Sequence, residues 1–331
     1  MSGLAVIGGG AWGTALAQVL AADGGPVTLW AREPEVARGV NEQRRNEPYL
    51  PGVTLAPSIR ATTDLADVAE APVNLVVTPA QPMGAVLERL PARGQTLVLC
   101  SKGIEAGTLR LMSEVAAALH PRSAIAVLSG PTFAGEVARG LPTAVTLACA
   151  DASDEEGGCA PGLAARLARP SFRPYTSTDV VGAEIGGAVK NVLAISCGVA
   201  EGAGLGQNAR AALIARGFAE MTRFGLARGA RAETLAGLSG LGDLVLTCSS
   251  TSSRNYSLGV GLGQGRAAAA LLADRRTVAE GAFTAPVLAE AAQAAGVDMP
   301  VTDAVNRLLE GAAAGEVIAG LLARPLRGEG L

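Results

Sequence analysis

The sequence predicts an α/β protein: a doubly wound, mostly parallel sheet followed by an all-helical second domain. Three observations carry this. A short buried strand near the N-terminus runs straight into a glycine-rich turn and a helix. Strand and helix patterns then alternate to about residue 148. From about residue 180 the apolar residues recur at helical spacing alone. The expected division is therefore 1–179 and 180–331.

Leu4-Ala5-Val6-Ile7 is the first strand, and Gly8-Gly9-Gly10-Ala11-Trp12-Gly13 follows at once. A helix over 14–22 and a strand over 27–31 complete the unit strand, G-x-G-x-x-G, helix, strand. That is the context a dinucleotide fingerprint requires. Gly8 permits the tight turn, Gly10 lets backbone N–H groups approach a pyrophosphate, and Gly13 lets the helix lie against the strand. The helix N-terminus adds partial positive charge. Residues 1–179 thus read as a Rossmann-type dinucleotide-binding domain. The second strand ends Trp30-Ala31-Arg32-Glu33, where a site for NAD would place an acidic residue. Arg32 is set to meet a 2′-phosphate, unless it merely begins a solvated helix. NADP or NAD is the expected cofactor, with NADP the better match.

Further strands are expected at 73–78, 96–100, 124–128 and 143–148. Ligands of such sheets bind beyond the carboxyl ends of the strands. The residues there read Thr78-Pro79-Ala80, Ser101-Lys102-Gly103 and Ser129-Gly130-Pro131-Thr132. Turn chemistry explains the Ser, Gly and Pro but does not call for the lysine. The acidic stretch 151–162, DASDEEGGCAPG, reads as a passive surface loop. Past it the strand signals fade. A helix through Lys190 opens the second region, with Ser177, Thr178 or Asp179 as N-cap candidates. More helices are expected over 209–228, 255–263, 278–295, 302–311 and 316–323. Residues 180–331 read as a helical substrate-binding domain.

Among 27 Lys+Arg only Lys102 and Lys190 are lysines. Arg does not give up its proton in a protein, whereas Lys can once burial or a neighbouring cation lowers its proton affinity. Two retained lysines suggest proton chemistry, against the bland alternative of chance survival at the surface. Lys190 closes VGAEIGGAVK, a run of helical apolar spacing and close-packing glycines, so partial desolvation is expected there. Asp243 stands alone in GLSGLGDLVLTC. It either pairs with Lys190 or Lys102 or caps a helix. The run SSTSSRN, with Ser253, Arg254 and Asn255 before a helix, is either a polar loop or an anion site.

Composition removes several classes. The chain has 331 residues, 49% hydrophobic but only 3% aromatic, so its core is aliphatic. A net charge of -3 without basic clusters argues against nucleic acid. Cys100, Cys149, Cys159, Cys197 and Cys248 show no metal-ligand spacing, which fits free thiols in a reducing cytosol. No signal peptide is expected at the start of the chain, and no apolar run is expected to reach membrane-spanning length, so no stable membrane insertion is expected. The single histidine, His120, precedes Pro121 at a helix end and is not the expected proton carrier.

GGGAWGTALA, NEPYLP, SKGIE, SGPTFAGE, GAVKN, GLGDLVLTC and SRN occur in that order from the first strand to about residue 322. Together they closely resemble the NAD(P)-dependent glycerol-3-phosphate dehydrogenases of bacterial type. The resemblance implies reversible hydride transfer between NAD(P)H and dihydroxyacetone phosphate, giving sn-glycerol 3-phosphate for phospholipid synthesis. It implies that Lys190 exchanges the proton and that Lys102 lies near the substrate oxygen and the nicotinamide. Gly130, Thr132, Asp243, Ser253, Arg254 and Asn255 would line the substrate site. Ala11, Trp12, Arg32, Tyr49, Ala134, Arg254, Val278 and Glu280 would touch the cofactor. The other classes to weigh are a lysine-dependent NAD(P) reductase of β-hydroxy acids and a non-catalytic dinucleotide sensor. Expected partners are a small phosphorylated substrate and a second copy of the chain, in the cytoplasm.

Overall fold

The computed structural model describes residues 3–150, 159–273 and 279–325, with residues 159–161 described by backbone alone. It divides into two compact units, Met1–Lys102 with Arg110–Val180, and Gly103–Leu109 with Val181–Leu331. The short segment Gly103–Leu109 thus belongs to the second unit although it interrupts the first in sequence.

The first unit is built on one eight-stranded sheet in the order β3-β2-β1-β4-β5-β6-β7-β8. Its strands are β1 Leu4–Ile7, β2 Val27–Trp30, β3 Ile59–Thr62, β4 Val73–Val76, β5 Thr96–Leu99, β6 Ile125–Ser129, β7 Thr143–Cys149 and β8 Phe172–Ser177. Its helices are α1 Ala11–Leu20, α2 Pro34–Arg38, α3 Leu65–Ala69, α4 Ala80–Arg89, α5 Met112–Leu119, α6 Ala134–Ala138 and α7 Cys159–Leu167. β1 and β4 are buried along their whole length, as a sheet covered on both faces demands. Among the described strands of this sheet only the β6–β7 pair is antiparallel, and α6, between those two strands, packs on α1.

Two strands were not legible beforehand. β3, IRAT, is an edge strand of four residues with Arg60 exposed. β8, FRPYTS, carries Pro174, which an edge strand tolerates and which masks a strand signal. The stretch read as a loop over 151–162 is shorter than that: α7 starts at Cys159, and 151–158 lie outside the described residues. His120 ends α5 with its ring Nε2 2.9 Å from the Leu87 carbonyl oxygen, a buried packing role.

The second unit consists of helices α8 Val180–Gly202, α9 Gly206–Ala227, α10 Ala232–Leu235, α11 Asp243–Thr247, α12 Arg254–Gly263, α13 Ala268–Leu271, α14 Glu280–Ala294, α15 Pro300–Leu309 and α16 Ala314–Leu322. A π-helical turn, Leu238–Gly242, precedes α11. Every residue of α8 from Gly182 to Ala200 is buried. By length and composition α8 could cross a membrane, contrary to the sequence expectation. It is instead a core helix, with 89% of its apolar window covered by protein.

Glu220 of α9 ties that helix to α15. Its buried carboxylate accepts the N–H groups of Val301 (2.7 Å) and Thr302 (3.3 Å), otherwise unpaired at a helix start. Burial nevertheless raises its pKa to about 7, against the opposing pull of those two bonds and of Arg223. A raised carboxyl pKa means the folded state holds the proton longer than the unfolded chain. Stability from this group is therefore full below the unfolded value and is lost as pH rises to about 7. Glu220→Gln is expected to flatten the decline, gaining on the order of 2 kcal/mol relative to wild type between pH 5 and pH 8. Parallel denaturation curves for the two proteins across that range would refute it.

Candidate active site

In the first unit the chain turns from β1, β4, β5 and β6 at one edge of the sheet, and the strand order reverses between β1 and β4. That reversal is where open α/β sheets take their ligands. Gly8 holds φ +132, and a Cβ on Gly13 would stand 1.9 Å from the Gly8 carbonyl oxygen, so α1 can start only against glycine. A Cβ at Gly10 would meet nothing within 4 Å, which leaves that side of the loop open. Ala11 and Trp12, both half-buried, open α1. The loop is braced by a residue that sequence reasoning passed over. Asn46 is buried and its amide donates to the Gly9 carbonyl at 2.8 Å and to Thr14 Oγ1 at 2.7 Å. Its only advance signal was the position of NEPYLP after the second strand.

Arg32 is 80% exposed just past β2 and pairs with Glu33 at 2.6 Å. The Glu33 carboxylate, and to a lesser degree Tyr49, hold its guanidinium charge more firmly. At the end of β5, the Ser101 hydroxyl donates to the Thr78 carbonyl at 2.5 Å, joining two of the edge turns immediately before half-buried Lys102. Burial pushes the Cys100 thiol up to about 12, so it is no nucleophile. Beyond β6, Gly130 has φ +158 and its carbonyl accepts from Thr132 Oγ1 at 3.3 Å. Ala134 begins α6.

The second unit holds a buried ion pair. Lys190 Nζ on α8 donates to Asp243 Oδ1 on α11 at 2.6 Å and to Thr247 Oγ1 at 3.0 Å. The two charged side chains are 7% and 0% exposed. Asp243 is the first residue of α11, and Thr247 stands one turn later on the same face. This contact depends on Gly186, one turn before Lys190. A Cβ there would lie 2.4 Å from the Ser239 carbonyl oxygen, so the π-helical turn can rest on α8 only at glycine. Cys248 follows Thr247, its thiol kept protonated by a hydrogen bond with Cys197 and by burial. Thr247 was not singled out beforehand, although the spacing Asp-x-x-x-Thr on a helix places both side chains together.

A second cluster starts α12. Ser253 is its N-cap, its hydroxyl accepting the Tyr256 N–H at 3.2 Å. Arg254 follows and is exposed. Asn255 is buried. Its amide nitrogen donates to Asn191 Oδ1 at 3.0 Å, and its oxygen accepts the Gly281 N–H at 2.9 Å. Asn255 thereby links the residue after Lys190 to the first turn of α14, where Glu280 is half-buried. Asn191 and Gly281 were missed because such a relay exists only in three dimensions. Val278 lies outside the described residues.

Residues 3–155 match the family model described as the N-terminus of NAD-dependent glycerol-3-phosphate dehydrogenase, and residues 179–319 match its C-terminus. The chain belongs to the NAD(P)-dependent glycerol-3-phosphate dehydrogenase family. It is 67% identical over 326 residues to glycerol-3-phosphate dehydrogenase [NAD(P)+] of Erythrobacter litoralis, covering 98% of this chain and 97% of that one. The Novosphingobium aromaticivorans enzyme of the same name is 66% identical with the same coverage. The crystal structure of the Coxiella burnetii glycerol-3-phosphate dehydrogenase superposes with a TM-score of 0.91 at 38% identity, covering 97% and 99% of the two chains. D-mandelate dehydrogenase, at 14% identity and a TM-score of 0.65, shares the fold alone. The match to this dehydrogenase family over both units is what separates the chain from the β-hydroxy acid reductases weighed above.

Proposed function

We propose that the chain interconverts dihydroxyacetone phosphate and sn-glycerol 3-phosphate with NAD(P)H, supplying glycerol 3-phosphate for phospholipid synthesis. The observation that carries this reading is the buried Lys190–Asp243 pair, in a protein of a family named for that reaction. The first unit is the cofactor-binding domain and the second the substrate-binding domain in this reading. The glycine loop fits a dinucleotide because its face at Gly10 is open and Thr78 Oγ1, next to Gly8, is buried without a partner in the protein. Gly8, Gly10, Ala11, Trp12 and Gly13 would hold the pyrophosphate, with Arg32, Tyr49, Ala134, Arg254, Val278 and Glu280 as further contacts. The bound nicotinamide supplies the hydride.

The protein's own work is to bind and orient the phosphorylated ketone and to move a proton. As charge grows on the ketone oxygen, Lys190 Nζ donates its proton there, and in reverse it acts as the base. Asp243 holds the ammonium and Thr247 fixes its direction. Lys102 is assigned electrostatic stabilisation of that oxygen. Gly130, Thr132, Ser253, Arg254 and Asn255 take the substrate. The phosphate is given to Arg254 and the N–H groups that open α12. A sensor would have no use for a desolvated lysine. Oxidation of reduced cofactor with dihydroxyacetone phosphate, and not with a panel of β-keto acids, is the expected result; the opposite preference would refute the reading.

NADP is proposed as the preferred cofactor, from Arg32 at the end of β2. Arg32→Asp is expected to weaken NADPH by roughly 1–3 kcal/mol and NADH far less. Equal losses in titrations of both would assign Arg32 to the surface ion pair with Glu33 alone. A cytoplasmic homodimer completes the proposal. Exposed Leu205, Leu226, Phe283 and Leu322 of the helical unit are candidates for the contact, and a monomeric mass by light scattering would exclude it.

A further inference from the structure

The helices α8 and α12 run side by side in one direction, and at four positions along them a glycine faces the backbone of the other helix. A Cβ on Gly198 would stand 2.1 Å from the Tyr256 carbonyl oxygen, and one on Gly202 2.1 Å from that of Val260. From the other side, a Cβ on Gly259 would stand 2.1 Å from the Ile195 carbonyl oxygen, and one on Gly263 2.3 Å from that of Val199. The two backbones therefore touch with no room for a methyl group. At the N-terminal end of the same pair, the Asn191–Asn255 hydrogen bond locks the helices together. The residues immediately before that bond are Lys190 on α8 and Arg254 on α12. The sideways separation of the backbones that carry Lys190 and Arg254 is thus set by two helices in backbone contact rather than by side chains packed between them.

We propose that Gly198, Gly202, Gly259 and Gly263 are positioning residues that set substrate length: they fix the gap between Lys190 and Arg254 to a ketone and phosphate joined through a single carbon. This rests on the assignment of those two residues to proton transfer and to the phosphate. The substrate offers little freedom, because its carbonyl oxygen must reach Nζ while its phosphate reaches the α12 end. An added methyl would have to move one backbone by roughly 1 Å to restore ordinary contact distance. A displacement of that size costs on the order of 10²-fold in rate when it separates groups that must act on one molecule. A longer ketone phosphate would tolerate it.

The test compares kcat/KM for dihydroxyacetone phosphate with that for erythrulose 4-phosphate, which has one more carbon between carbonyl and phosphate. In Gly198→Ala and Gly259→Ala, kcat for dihydroxyacetone phosphate is expected to fall by roughly 10²-fold. The ratio of the longer to the shorter substrate should rise by about tenfold or more. Gly261→Ala is the control on α12: the atoms nearest its added methyl belong to the Leu271 side chain, at 2.6 Å, and not to the backbone of α8. That variant should keep the wild-type ratio. Gly263→Ala, in the last turn of α12, takes the place of either central variant that does not fold. Equal losses on both substrates in the folded contact variants would overturn the proposal, since a general packing defect does not tell one substrate from the other. Arg254→Ala separates this from a failure of the underlying assignment. If it does not penalise dihydroxyacetone phosphate more than dihydroxyacetone, the phosphate is held elsewhere and both ideas fall. If it does, an unchanged ratio in the glycine variants removes the spacer alone.

Discussion

Lys190→Arg is expected to lower turnover by roughly 10²–10⁴-fold while cofactor binding stays near wild type, the share that general acid–base catalysis commonly supplies. Arg keeps the positive charge and can still bond to Asp243, so electrostatic attraction for the ketone oxygen survives. It cannot release its proton, so the step that neutralises the developing alkoxide is lost. The site is also tight. Nζ has Asp243 at 2.6 Å and Thr247 at 3.0 Å, and a guanidinium is wider than an ammonium. A denaturation curve alongside the kinetics separates a chemical defect from a packing one. Turnover within a few fold of wild type would give the proton transfer to Lys102 or to water.

Asp243→Asn is expected to cost stability as well as activity, by roughly 3–5 kcal/mol, because it leaves a buried ammonium without its counter-charge. Asn has nearly the shape of Asp, so no cavity is created and the loss reports charge. Protonated Lys190 is then the form disfavoured by burial. Ketone reduction by the variant should therefore decline as pH rises, more steeply than in wild type, since its proton donor empties first. Denaturant titration gives the first quantity and the pH profile of kcat the second. A variant as stable as wild type, with an unaltered profile, would show that the pair is ornamental. Replacing both partners by apolar residues of similar volume is expected to recover much of the stability and none of the activity.

The two regions differ in how much of them could be read in advance. β1, the glycine turn, α1 and β2 announce themselves because each residue there answers a local need. Gly13 must be glycine to let α1 sit on Gly8, and the strands buried on both faces are unbroken apolar runs. β3 and β8 gave no such signal, being edge strands whose exposed or proline-containing sequences owe their shape to the neighbour they pair with. The long helices of the second unit (α8, α9, α12, α14, α15 and α16) were legible to within a few residues, because their periodicity is intrinsic, whereas the four- and five-residue helices α10, α11 and α13 were not. The π-helical turn before α11 was not. Its geometry comes from the backbone of Ser239 and Gly240 pressing on Gly186.

The candidate site divides in the same way. That Lys190 and Lys102 are candidates for proton transfer was legible in the sequence, since Arg does not release its proton in a protein, and Asp243 in an apolar run called for either a cation or a helix start. Which lysine it meets was undetermined, because ion pairing across 53 residues is a property of the fold. The tertiary structure decided for Lys190 by laying α11 on α8, and it added Thr247 by helical spacing. It also recruited Asn191 and Gly281 through the two ends of the Asn255 amide. The sequence by itself determined the candidate groups: two lysines of a type that can release a proton, a glycine loop of the dinucleotide pattern, and a guanidinium at a helix start. Only the tertiary structure decided which groups act together, because burial and direction arise when helices pack, and no residue carries them alone.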